Sequence, residues 1–202
     1  YIYFFDTKIS NRRKQMVKIG QAVPEFTMAA YHNDEIVDIK LSDYKGKWVV
    51  LLFYPADFTF VCPTELEDAA KIYDKFQALG AEIISVSTDT PFVHKAWHDH
   101  SDAIGNVAYP MGADPTGEVS KLFNVYIEEE GLALRGTFII DPDGVLKTAE
   151  VHDLGIGRSA AESLRKLKAA CFVREHGDQV CPANWTPGGD TLTPGLDLVG
   201  KI

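Results

Sequence analysis

Trp48-Val49-Val50-Leu51-Leu52-Phe53-Tyr54-Pro55, followed by Ala56-Asp57-Phe58-Thr59-Phe60-Val61 and Cys62-Pro63-Thr64-Glu65, is the stretch that decides the fold. Its first half is continuously apolar and rich in β-branched residues, the pattern of a strand covered on both faces. Pro55 ends that strand. From Cys62 onward, Leu66, Ala69, Ala70, Tyr73, Phe76 and Leu79 recur at steps of three and four and Gly80 closes the series. That spacing predicts one amphipathic helix over 62–79 with a glycine stop. Pro63 suits its first turn, where a missing N–H costs nothing. A cysteine at such a junction meets the donors and partial positive charge of a helix N-terminus, which favour a thiolate. Cys62 is therefore predicted to be an accessible, reactive sulfur.

Reading outward, Ala81 to Asp89 is a second strand, parallel to the first because the helix makes the crossover. Residues 91–100 suit a helix opened by Pro91, 107–111 a short strand and 115–123 a helix. Arg135 to Ile140 and Val145 to Val151 flank Asp141-Pro142-Asp143-Gly144, a turn that predicts a β-hairpin. Ser159-Ala160-Ala161-Glu162 has the spelling of a capping box and opens a helix running to about His176. Beyond it Pro182, Pro187, Gly188, Gly189, Pro194 and Gly195 forbid long elements. The 202 residues, 46% of them hydrophobic, suffice for one well-buried α/β domain with an appended arm. The division is 16–176 for the domain and 177–202 for the arm. Residues 1–15 are read as an N-terminal extension ahead of a natural start at Met16-Val17, outside the functional argument.

A net charge of −9, from 29 acidic against 20 basic residues, argues against nucleic acid or an anionic membrane as the main partner. No apolar run approaches the roughly 18 residues of a membrane span. The apolar Tyr1-Ile2-Tyr3-Phe4-Phe5 precedes the basic run ending in Arg12-Arg13-Lys14, the reverse of a secretory signal, so a cytoplasmic chain is expected. Three cysteines, Cys62, Cys171 and Cys181, are an odd number without C-x-x-C spacing. That disfavours a zinc ribbon, a thioredoxin-type dithiol and a secreted disulfide framework, and favours redox chemistry. Cys171, in mid-helix, reads as inert packing. His94 and His98, at helical i, i+4 spacing with His100 close behind, would suit a metal, but with no clear third ligand they read as a polar surface face. Gly155-x-Gly157 lacks the third glycine of a dinucleotide loop, and no cofactor is expected.

Pro55-x-x-x-Thr59-x-x-Cys62 resembles the active-site motif of peroxiredoxins, and Phe58 through Glu65 is similar to the typical two-cysteine branch. Val180-Cys181-Pro182-Ala183-Asn184-Trp185 resembles its resolving-cysteine motif, and Arg135-Gly136-Thr137-Phe138-Ile139-Ile140-Asp141 its arginine-bearing strand. The closing Leu196-Asp197-Leu198-Val199-Gly200-Lys201-Ile202 resembles the peroxidase subunits of bacterial alkyl hydroperoxide reductases. The likeness runs from about Val17 to Ile202. It implies a thioredoxin-like α/β fold, a central mixed β-sheet flanked by helices with an extended C-terminal arm.

The resemblance further implies roles. Cys62 is the peroxidatic thiolate, Thr59 and Arg135 donate to the breaking O–O bond, and Pro55 shields the sulfur. Glu65 reads either as an ordinary first-turn carboxylate favoured by the helix dipole or, by resemblance, as a hydrogen-bonding orienter of the active-site arginines, two compatible readings, and Arg158 resembles a family arginine near the site. Cys181, in a mobile arm, is the resolving cysteine, joined to Cys62 of another subunit in a homodimer that assembles into a decamer. Hydrogen peroxide and organic hydroperoxides are the implied substrates, and thioredoxin or a flavoprotein disulfide reductase the electron donor, in antioxidant defence. The rival reading is a redox-sensing or chaperone-like scaffold whose assembly follows cysteine oxidation. A thiol–disulfide exchange protein is disfavoured by the missing C-x-x-C. Over-oxidation-prone branches carry a Gly-Gly-Leu-Gly loop and a C-terminal Tyr-Phe pair. Here Glu128-Glu129-Glu130-Gly131 and Lys201-Ile202 stand instead, so resistance to over-oxidation is expected.

Overall fold

The computed structural model describes residues 16–201. The reading of 1–15 as an extension lies outside them. Strands β1 (Thr27–His32), β2 (Glu35–Lys40), β3 (Trp48–Phe53), β4 (Ala81–Ser87), β5 (Met111–Ala113), β8 (Arg135–Ile140) and β9 (Leu146–His152) form one mixed sheet in the order β2-β1-β5-β4-β3-β8-β9. A separate small hairpin joins β6 (Tyr126–Ile127) to β7 (Leu132–Ala133). The helices are α1 (Cys62–Ala70), α2 (Tyr73–Gln77), α3 (Pro91–His100), α4 (Glu118–Leu122) and α5 (Ala160–Glu175).

β3 is an inner strand, with all six residues buried, parallel to β4 from Trp48↔Ala81 to Phe53↔Val86 and antiparallel to β8. Its side chains alternate between two cores, because successive residues of a strand face opposite ways. Val50 and Leu52 join Leu66, Phe76, Ile83, Trp97, Leu164 and Leu167 on one side. Val49, Leu51 and Phe53 join Ile84, Val86, Phe123, Phe138 and Ile140 on the other. Covering both faces is what requires an unbroken apolar strand.

The predicted βαβ unit, the helix over 91–100, the β8–β9 hairpin and the helix closing the domain all appear. The helix expected over 62–79 is instead two. Ile72 leaves helical geometry at φ −126°, ψ 19° and packs against the core, and Phe76 is buried beyond it. The apolar face continues through the break, so periodicity does not register it. The short strand lies at 111–113 rather than 107–111, and the helix expected over 115–123 shrinks to α4, entered through Gly117 at φ +68°. The β1–β2 hairpin has no counterpart among the elements expected from sequence. Its two-residue turn, Asn33-Asp34, has φ +51° and +63°, the left-handed pair that Asn and Asp tolerate best after glycine.

The expected polar histidine face is corrected at its first member. His94 is fully buried, its Nδ1 2.7 Å from Asp57 Oδ2 and its Nε2 3.1 Å from the Gly112 carbonyl. A buried imidazole is tolerated when both ring nitrogens have partners. Asp57 also accepts from the Tyr54 hydroxyl at 2.7 Å, and its N–H donates to Asp89 at 2.9 Å. This network anchors the loop between β3 and α1. Among the described residues, no helix is long and apolar enough to cross a membrane.

Candidate active site

α1 begins at Cys62, just past the carboxyl end of β3, where open α/β sheets receive ligands. The loop between them reverses at Phe58, a non-glycine residue at φ +53°. Backbone strain of this kind concentrates at functional sites. The Phe58 ring rests 6.0 Å from that of Trp97. The sulfur is not exposed as expected. Cys62 has 0% exposure and belongs to the apolar cluster of Leu52, Tyr54 and Leu66, because the first turn of α1 faces the sheet rather than solvent.

Arg135, the first residue of β8, reaches the sulfur. Its Nη1 donates to Cys62 Sγ at 3.4 Å and to Glu65 Oε2 at 2.7 Å, while Nε donates to the Leu154 carbonyl at 2.7 Å. Glu65 stands three residues after Cys62 and so on the same helix face. Arg158 grips that carboxylate from the other side: its backbone N–H and Nε both donate to Oε1 at 2.8 Å and its Nη2 to Oε2 at 3.0 Å. Its Nη1 donates to the Gly136 carbonyl at 2.7 Å and to Thr137 Oγ1 at 3.2 Å, tying it to the strand that carries Arg135.

Burial acts to raise the Glu65 carboxyl, but the hydrogen bonds and charge of Arg158, with the charge of Arg135, outweigh it and hold the pKa below the usual value. Two guanidinium ions thus face one carboxylate, which leaves an excess of positive charge beside Sγ. Fixed donors in a water-poor site are suited to stabilising negative charge as it develops.

Of the residues singled out from sequence, Cys62, Glu65, Arg135 and Arg158 form one bonded cluster. Thr59 lies in the preceding loop, its hydroxyl donating to the Ala56 carbonyl at 2.8 Å, and Pro55 is buried at the end of β3. Cys181 is elsewhere, on the arm, its Sγ 3.9 Å from the Ala169 carbonyl of α5. All three cysteines are free thiols. Burial, with the charge of Glu175 adding to it, pushes the Cys171 thiol up to about 11, in keeping with inert packing. Sequence reasoning missed the Leu154 carbonyl and the Asp57–His94 pair. Neither has a local signal, since each contact spans segments far apart in the chain.

Residues 19–149 match the AhpC/TSA family, and 172–198 match the C-terminal domain of 1-Cys peroxiredoxin. The chain belongs to the AhpC/TSA family. It is 56% identical over 189 residues to alkyl hydroperoxide reductase C of Staphylococcus saprophyticus, covering 93% of this chain and 100% of that one. It is 54% identical over 187 residues to the Bacillus subtilis protein of the same name, with the same coverage. Among solved structures, Enterococcus faecalis AhpC has a TM-score of 0.80 at 48% identity, covering 83% of this chain and all of the other. Reduced Plasmodium vivax 2-Cys peroxiredoxin has a TM-score of 0.85 at 34% identity, covering 89% and 94%. This peroxiredoxin has the thioredoxin-like fold expected of it and is a thiol-dependent peroxidase. The scaffold reading is not favoured.

Proposed function

We propose that this peroxiredoxin reduces hydrogen peroxide and organic hydroperoxides with Cys62 as the attacking thiolate and Cys181 as the resolving thiol. The observation that carries the reading is the Arg135 guanidinium 3.4 Å from Cys62 Sγ, itself bonded to Glu65 and Leu154. The thiolate attacks one peroxide oxygen, the O–O bond breaks, and the leaving oxygen takes a proton and departs as water or an alcohol. Cys62 is left as a sulfenic acid. Arg135 stabilises the charge on the breaking bond, joined by the Thr59 hydroxyl as it turns from the Ala56 carbonyl. Pro55 keeps water from the sulfur, and Glu65 with Arg158 holds Arg135 in place.

Cys181 of a second subunit then forms a disulfide with Cys62, which thioredoxin or a flavoprotein disulfide reductase reduces. The working unit is a homodimer, assembled further into a decamer, acting in the cytoplasm in antioxidant defence. The acidic Glu128-Glu129-Glu130 turn between β6 and β7 supports resistance to over-oxidation, since it departs from the sensitive loop.

The test is non-reducing electrophoresis after one equivalent of hydrogen peroxide. Cys171→Ser should give the same covalent dimer as the parent, and Cys62→Ser and Cys181→Ser none. Peroxide consumption that survives Cys62→Ser would overturn the proposal.

A further inference from the structure

Within residues 177–201, Trp185 is the only buried residue, at 5% exposure. Its ring packs on Phe172 of α5 with centroids 4.9 Å apart, and its Nε1 donates to the Gly189 carbonyl at 3.1 Å. What holds its backbone is Arg165, which belongs neither to the cluster around Cys62 nor to any motif read from the sequence. Arg165 Nε and Nη2 donate to the two oxygens of Glu162 at 2.9 and 2.8 Å, a fork within α5 that fixes the plane of the guanidinium. The remaining Nη1 leaves the helix and donates to the Trp185 carbonyl at 3.0 Å.

Cys181 immediately precedes a tight turn over Pro182–Trp185, closed by the Trp185 N–H donating to the Pro182 carbonyl at 3.2 Å with Asn184 at φ +58°. Cys181 Sγ lies against the carbonyl of Ala169, one helical turn along α5 from Arg165. Arg165 and Ala169 thus hold the two ends of the five-residue segment 181–185. Burial raises the Cys181 thiol, and the charge of Arg165 opposes it.

We propose that Arg165, oriented by Glu162, is a positioning residue for the resolving step: it latches the Cys181-bearing segment to α5, and release of that latch sets the rate of disulfide formation. The inference rests on the assignment of Cys181 as the resolving thiol. In that step Cys181 gives up its proton and its thiolate attacks the sulfenic sulfur of Cys62. The S–S bond forms, the S–O bond breaks, and hydroxide leaves, taking up the proton as water. A disulfide requires the two Cα atoms to come within roughly 4.4–6.8 Å. Cys62 is buried in its own cluster, so Cys181 must leave the Ala169 carbonyl to meet it, and the contacts at Trp185 resist that departure.

The test is stopped-flow mixing of the reduced protein with one equivalent of hydrogen peroxide, with sulfenic acid and disulfide counted by acid quench and mass spectrometry. Arg165→Met should speed disulfide formation about tenfold, the scale of one hydrogen bond to a charged group. It should leave the peroxide-dependent step unchanged and raise by the same factor the peroxide concentration that over-oxidises half of Cys62. Arg165→Lys keeps the charge but cannot span Glu162 and the Trp185 carbonyl together, so it should behave like Arg165→Met. Glu162→Gln, which frees the guanidinium, should accelerate the step less and decides the matter if Arg165→Met does not fold. An unchanged or slower disulfide step in Arg165→Met, or a parent-like rate in Arg165→Lys, overturns the latch. Disulfide formation at the parent rate in Cys181→Ser would instead overturn the resolving role.

Discussion

The carboxylate of Glu65 is the residue on which the site's geometry turns, because both arginines bond to it and one of them also touches the sulfur. Replacing Glu65 with Gln leaves two buried guanidinium ions without an anion. The reaction of Cys62 with hydrogen peroxide, followed by stopped-flow, should slow by about tenfold or more as Arg135 loses its orientation. Arg135→Lys removes the fork that reaches Leu154, Glu65 and Sγ together, and a loss of about 10²-fold is expected in the same measurement. The pH dependence has a definite sign. The folded-state pKa of Glu65 lies below its ordinary value of 4.5, so its carboxylate stabilises the fold fully above that value. The contribution fades as pH falls through the lower, folded value. Denaturation of the parent and of Glu65→Gln should therefore differ by a constant amount near neutrality and converge in acid as the pH falls below 4.5 and through the lower, folded value.

At the scale of elements, the site depends on the start of α1, the first residues of β8 and the loop that follows β9. β8 carries Arg135 and then Gly136, which leaves no room for a side chain. A Cβ there would lie 2.7 Å from the Phe138 ring and 2.9 Å from Val125 Cγ1. Gly136→Ala should cost about 1–3 kcal/mol in chemical denaturation and disturb Arg135 with it. The loop after β9 supplies the Leu154 carbonyl to Arg135 and the Arg158 guanidinium and backbone N–H to Glu65. It is bolted to α1 a second time by the Ala160 N–H, which donates to Asp68 at 2.8 Å. The strands and caps of these elements were legible in sequence because their signals are local: the apolar run of β3, Pro63, the turn at Asp141-Pro142-Asp143-Gly144 and the Ser159 cap. Glu162 N–H does donate to Ser159 Oγ, at 3.3 Å. The break at Ile72 was not legible, since no helix-stopping residue marks it and its side chain keeps to the apolar face that packs on the core.

At the scale of the molecule, both apolar cores sit on the sheet, and among residues 177–201 only Trp185 is buried. Removing the arm after residue 176 should therefore leave a cooperatively unfolding domain. It should still form a Cys62 sulfenic acid, trappable by dimedone, but no covalent dimer; loss of the cooperative transition would refute the division into domain and arm. The sequence alone determined the strand–helix junction at Cys62 and the parallel βαβ unit, because hydrophobic period, turn chemistry and capping act over a few residues. Only the tertiary structure decided that the sulfur is covered, that His94 is a buried partner of Asp57, and that Arg135 and Arg158 share one carboxylate. Those outcomes depend on segments distant in sequence meeting across the sheet, where burial and hydrogen-bond satisfaction are settled by neighbours that no local pattern specifies.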